Sequence, residues 1–277
     1  MPNLYCMWVR CMRIDHFEHQ KKDDYNILES LKGEKLNIFA NGDCRELIKK
    51  IPDESVDLIH TDPPYVTTKF HWDHQEMVTP ELVDEFFRIL KPAGSLYCWC
   101  GIGEKGNSLM RWHPIISTKF YFKDLITWKK RRGIGMRKGW LYTREELMWF
   151  VKDNKKFIWN KDFQYTDEPN QFKKGFKGTK VHPFKRITNV WIDVPEILSR
   201  RDKKTSHATP KPMKGITRVI QCHTKEGDVI FDPFAGSGST LKAAELLKRN
   251  YIGFELDKEI FEETRQTLGE HKNELDD

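Results

Sequence analysis

No CxxC pair occurs among the six cysteines at 6, 11, 44, 98, 100 and 222, and the ten histidines form neither an HExxH nor a ligand-spaced cluster. A zinc site needs such spacing. No metal is therefore expected, and the cysteines read as buried, reduced thiols rather than disulfides. Nor does any run approach the roughly 18 consecutive apolar residues that a membrane span requires. The opening MPNLYCMWVRCMRIDHFEHQKKDD is too polar to hold the apolar centre of a signal peptide. These absences lead to the expectation of a soluble, cytoplasmic protein with no membrane partner. Also missing are a full GxGxxG, which disfavours NAD or FAD, and a GxxxxGK[ST], which excludes a P-loop.

What is present is enough apolar material, 38% of 277 residues, for one sizeable core plus an insertion, or for two small domains. Charge is unevenly placed. Residues 129–186 hold 17 Lys/Arg against 6 Asp/Glu, a net of +11 in a chain whose total is +6, which leaves −5 for the rest. A basic segment in an acidic body suits a polyanion partner for that segment alone; a solvated loop face is the plainer reading.

Residues 1–33 show no clear period and read as an N-terminal arm, a docked helix or a start-site artefact. From Leu36 the pattern sharpens. LNIFANGD reads as a strand, RELIKKIPDE as a short helix stopped by Pro52, and VDLIHTD as a second strand. PELVDEFFRILKPAG has Leu82, Phe86, Ile89 and Leu90 at helical spacing and closes at Pro92 and Gly94. SLYCWC, FYFKDLITW and ELMWFV read as strands. Regularity weakens after Trp128 and returns with the helix TPKPMKGITRVIQCH, the strand GDVIFD, the helix GSTLKAAELLKRN, the strand YIGFELD and the helix KEIFEETRQTL. Strands alternating with helices at both ends predict an α/β fold, a doubly wound, mostly parallel sheet interrupted by a basic insertion. The expected division is 34–128, 129–205 for the insertion, and 206–277.

Two stretches carry chemistry. In TDPPY a strand ends in a carboxylate, two stiff prolines and an aromatic ring. Alone it also reads as a strand-terminating turn with Asp62 as a cap. In GDVIFDPFAGSGST, Gly236 and Gly238 directly follow a strand, where the backbone must turn tightly and a ligand can approach closely. The free N–H groups of the next helix favour an anion. About twenty residues on, YIGFE ends in Glu255, where nucleotide-type sites place an acid that accepts from ribose hydroxyls.

With TDPPY first, DPFAGSGST near the C-terminus and a basic region between, the chain resembles the beta class of S-adenosylmethionine-dependent DNA amino-methyltransferases, which includes N6-adenine and N4-cytosine enzymes. The resemblance covers about residues 36–268. It implies a Rossmann-like methyltransferase fold with the insertion as target-recognition region, S-adenosylmethionine as cofactor and double-stranded DNA as partner. A homodimer and a cognate restriction enzyme are further partners that it admits. Asp43, in NGDCRELIKK, resembles the acid that contacts the cofactor adenine, and Lys211, in HATPKPMKG, lies in the stretch near its methionine end. Asp232, Phe234, Ala235, Gly236, Ser237, Gly238, Ser239 and Glu255 complete the implied cofactor set. Thr143 to Glu146 stand where a His-Glu pair is expected.

An exocyclic amine is a poor nucleophile because its lone pair is delocalised into the ring. Asp62 and the main-chain carbonyl of Pro63, held by Pro64, would accept from its two N–H groups, and Tyr65 would stack on a flipped base. Phe70, Trp72 and Asp73 read as part of the base pocket or a lid, and Phe70 and Trp72 equally as core residues covering the sheet edge. Lys129, Lys130, Arg131 and Arg132, with Arg137 and Lys138, would open the DNA-binding segment, mainly through phosphates. Asp at the first clamp position favours N6-adenine, with N4-cytosine as alternative. RNA and protein-glutamine methyltransferases carry a similar clamp but usually in the reverse motif order. A catalytically silent DNA-binding subunit is the alternative of another class.

Overall fold

The structure is a computed structural model that describes residues 37–66, 76–103, 107–134, 138, 140–171, 178, 180–196 and 210–275. The expected N-terminal arm, Phe70, Trp72, Asp73, Arg137, Cys6 and Cys11 lie outside the described residues. The first half of the chain forms β1 (Asn37–Asn41), α1 (Cys44–Leu47), β2 (Val56–Thr61), α2 (Pro80–Ile89), β3 (Leu90–Cys100) and α3 (Ser108–Ile116). The middle forms β4 (Tyr121–Ile134), β5 (Tyr142–Val151), β6 (Tyr165–Pro169), β7 (Phe184–Arg186) and β8 (Val190–Trp191). The last part forms α4 (Met213–His223), β9 (Val229–Asp232), α5 (Ser239–Leu246), β10 (Asn250–Glu255) and α6 (Lys258–Leu275).

Eight of these strands make one sheet in the order β1-β10-β9-β2-β3-β5-β4-β8. The first five run parallel, β5 is antiparallel to β3 and β4, and β8 is parallel to β4. VDLIHT of β2 and VIFD of β9 are buried at every position, as parallel strands covered on both faces must be. Period-2 alternation sorts their side chains between two cores. Ile59, Cys98 and Phe231 face the layer of α2 and α3, while Leu58, Tyr97, Trp99 and Ile230 face α4 and α5. Helix α2 starts where Thr79 caps it and Pro80 presets its first turn, and it buries Leu82, Val83, Phe86 and Ile89.

Strands β9 and β2 pair at the centre of the sheet, Leu58 against Ile230 and Ile59 against Phe231. Asp57 fastens their starts, accepting from the Val229 N–H at 2.9 Å and from Lys91 Nζ at 2.8 Å. The strand order reverses at this pair, so the turn after β2 and the turn after β9 open into one crevice at the carboxyl edge of the sheet.

The middle of the chain differs from its sequence reading. Strand β4 runs on to Ile134 through the basic run, and β5 and β8, within the expected insertion, belong to the main sheet. Strand β4 pairs with β5 up to Lys129 and again at Ile134, across a register shift that no local alternation signals.

Candidate active site

A cavity of about 300 Å³ lies between the two turns and reaches the end of β10. It is lined by Asp43, Asp62, Pro63, Pro64, Tyr65, Lys211, Asp232, Phe234, Ala235, Gly236, Ser237, Ser239 and Glu255, all expected from sequence. Gly238 supports the wall without lining it. Gly236 and Gly238 have φ of 51° and 71°, a region open to glycine and strained for other residues. A Cβ at Gly238 would meet Thr264 Cγ2 at 2.7 Å, and Thr264 in turn donates to the Gly236 carbonyl at 2.7 Å. Ser237 and Ser239 share a hydroxyl contact at 3.1 Å where α5 begins.

Three acids mark this half. Glu255 accepts from the Gly236 N–H at 2.9 Å and the Asp257 N–H at 2.8 Å, and burial pushes its carboxyl up. Asp232 is buried and accepts from the Phe234 N–H at 3.1 Å; burial pushes its carboxyl up to about 7, against hydrogen bonds from Thr240 and Phe234. Asp43 caps α1, accepting from the Arg45 N–H at 2.9 Å, and the Arg45 guanidinium holds it below the usual carboxylate range.

The clamp half is built on the irregular stretch after β2. Tyr65 Oη donates to Asp62 Oδ1 at 2.8 Å, and Lys211 Nζ lies 2.6 Å from Asp62 Oδ2. Trp112 meets the Tyr65 ring edge-on at 5.7 Å between centroids, Arg111 Nη2 donates to the Tyr65 carbonyl at 2.9 Å, and Val66 takes a φ of 59°.

Sequence reading missed His60, Thr240, Trp99 and Glu145. Trp99 Nε1 can only donate, and it does so to His60 Nε2 at 3.3 Å, so Nδ1 carries the imidazole proton and donates to Thr240 Oγ1 at 3.1 Å. Thr240 is thereby turned to donate to Asp232. Burial, with Lys211 nearby, pushes His60 down to about 3, so the ring stays neutral. Glu145 stands in the run that lacks the expected His-Glu pair. It faces Lys211 Nζ at 3.2 Å and Lys130 Nζ on its other oxygen.

The basic candidates divide. Lys129, Arg131 and Lys138 are exposed, while Lys130 turns inward to Glu145 and over the Trp128 ring. Arg132 continues β4, its side chain outside the described residues.

The DNA methylase profile, which covers N6 and N4 enzymes, matches residues 56–266 and takes in both turns. The chain belongs to the DNA methylase family. It is an S-adenosylmethionine-dependent methyltransferase acting on amino groups of DNA. This DNA methylase is 29% identical over 268 residues to the Type II methyltransferase M.BglII of Bacillus subtilis, covering 90% of the chain and 73% of that relative. It is 29% identical over 246 residues to the DNA adenine methyltransferase YhdJ of Escherichia coli (strain K12), covering 82% and 81%. Its fold is that of the M1.HpyAVI–SAM complex (TM-score 0.57, 23% identity, 84% of this chain and 100% of that one). The cytosine-N4-specific PvuII DNA methyltransferase shares it too (TM-score 0.61, 18% identity, 84% and 88%).

Proposed function

We propose that this DNA methylase transfers a methyl group to the N6 amine of an adenine flipped out of double-stranded DNA. The observation that carries the reading is the position of Asp62, a carboxylate at the end of β2 that lines the same cavity as Asp232, Gly236 and Glu255. In this reading Asp62 and the Pro63 carbonyl accept from the two N–H groups of the amine and aim its lone pair, Pro64 stiffens the carbonyl, and Tyr65 gives the base a flat face. Catalysis comes from positioning and fixed dipoles.

The residues fit the cofactor. A cavity walled by Asp232 and Glu255, acids that burial drives towards neutrality, suits a ligand carrying positive charge, which draws them back to the ionised form. Glu255 and Asp43 would hold the nucleoside end, and the turn Phe234 to Ser239 with Asp232 the amino-acid end, with Lys211 beside it. When bound, the cofactor supplies an electrophilic methyl on a sulfonium. Exposed Lys129, Arg131 and Lys138 would hold phosphates, and a homodimer and a cognate restriction enzyme remain partners of this reading.

Asp at the first clamp position and the adenine relative favour adenine; the PvuII fold keeps N4-cytosine as the second reading. Sequencing of modified bases in DNA from cells expressing the protein or Asp62→Ala decides. We expect N6-methyladenine at one short motif, lost in the variant, with single-turnover transfer down about 10²- to 10³-fold in vitro. N4-methylcytosine would overturn the base assignment, and wild-type methylation by Asp62→Ala the clamp.

A further inference from the structure

Each oxygen of Asp62 already has a donor, Oδ1 the Tyr65 hydroxyl at 2.8 Å and Oδ2 the Lys211 ammonium at 2.6 Å. An amine that approached Asp62 Oδ2 in line would compete with the ammonium for its position. Lys211 is only 9% exposed at its side chain, so it cannot simply retreat into water. A buried ammonium parted from its carboxylate would be strongly unfavourable. A second acceptor stands ready, however: Glu145 Oε2 already lies 3.2 Å from the same Nζ. Lys130 occupies the other Glu145 oxygen and anchors that carboxylate from β4. Burial works to raise the Glu145 carboxyl, yet Lys211 and Lys130 hold it below its ordinary range. The Tyr65 and Trp99 rings, each 5.5 Å from Nζ, wall the ammonium between the two acids.

We infer that Glu145 is the counter-ion that receives Lys211 when the target amine takes its place on Asp62, so that the free enzyme keeps its clamp closed with its own ammonium. The inference rests on the clamp reading above. Glu145 acts through Lys211, as a positioning residue. The row Lys130, Glu145, Lys211, Asp62 alternates in sign, and the shift exchanges one charge-assisted contact for another without stranding a charge.

The experiment is single-turnover methylation of unmodified bacterial genomic DNA at saturating concentration, with radiolabelled S-adenosylmethionine. It compares wild type, Glu145→Gln, Lys211→Met and the double variant. Calorimetric cofactor affinity and thermal melting are measured alongside. In Glu145→Gln the ammonium has no anion to move to, so the rate should fall about 10- to 100-fold, the worth of one charged hydrogen bond. Cofactor affinity should stay within about twofold. With Lys211 removed there is nothing to receive, so the double variant should be no slower than Lys211→Met. If Lys211→Met does not fold, Glu145→Asp, which keeps the charge, should recover most of the rate that Glu145→Gln loses. A merely structural Glu145 would give multiplying losses in the double variant, or would lower melting temperature and cofactor affinity in parallel with rate; either result overturns the inference, as does a wild-type rate for Glu145→Gln. Absence of methylation by the wild type would instead overturn the reading on which it rests, and the inference with it.

Discussion

Asp232 shows how one residue's surroundings set a binding property. Its hydrogen-bond partners are the Phe234 N–H and Thr240, neither of them a cation, and burial rather than a neighbouring acid is the main cause of its carboxyl standing near 7. A positively charged ligand binds the ionised form better. Cofactor affinity should therefore rise with pH across about 6 to 8, and calorimetry on Asp232→Asn should give weaker binding with that part of the pH dependence removed. Gly238 carries a different constraint. Its φ of 71° and the 2.7 Å approach of Thr264 Cγ2 leave no place for a methyl group. Gly238→Ala should cost about 1–3 kcal/mol in denaturant unfolding and should weaken cofactor binding, because the turn it closes is the cavity wall.

Strand β4 shows the same logic for an element. Its alternation sends Lys129 and Arg131 to solvent and Lys130 inward, so a run that looks uniformly basic has two jobs. Replacing Lys129 and Arg131 together by Gln should lower DNA affinity and reduce the slope of log K against log salt by about 2 in fluorescence-anisotropy titrations. Lys130→Gln should act on the methylation rate more than on that slope. The parallel strands and their motif-bearing ends were legible in the sequence because burial on both faces writes a continuous apolar run and a tight turn demands glycine. Helix α3 was not read, since Pro114 interrupts its pattern. The extent of β4 was not read either, because beyond Trp128 it pairs with β5 only at Lys129 and, across a register shift, at Ile134, and the run there carries no apolar alternation. In the site, the acids and glycines of the two turns were legible. Glu145 and His60 were not, because their roles come from Lys211 and Thr240, brought to them only by the sheet order.

At the scale of the molecule, that order joins the clamp and the cofactor cradle through buried groups that cannot accept protons without cost. His60 links β2 to α5 and stays neutral down to about 3. His223 does the same for α4 and the sheet: its Nε2 meets the Tyr97 hydroxyl at 2.8 Å, its Nδ1 the Ile158 carbonyl at 2.8 Å, and burial pushes it down to about 4. An unfolded chain would protonate both near 6.5. Between about 6.5 and 4 the unfolded state therefore binds protons that the native state refuses, so these two groups contribute stability that is present above 6.5 and lost as pH falls through that window. Asp232 opposes them, since its native carboxyl takes up a proton between about 3.8 and 7, but it is one group against two. A Gln at 223 has no proton to gain. His223→Gln should thus unfold more easily at pH 7, having lost its paired ring, yet its stability should fall less steeply with acid, by about 1.4 kcal/mol per pH unit between roughly 4.5 and 6. Urea midpoints measured across that range for both proteins test this, and parallel slopes would show that His223 is protonated as readily in the folded chain as in the unfolded one.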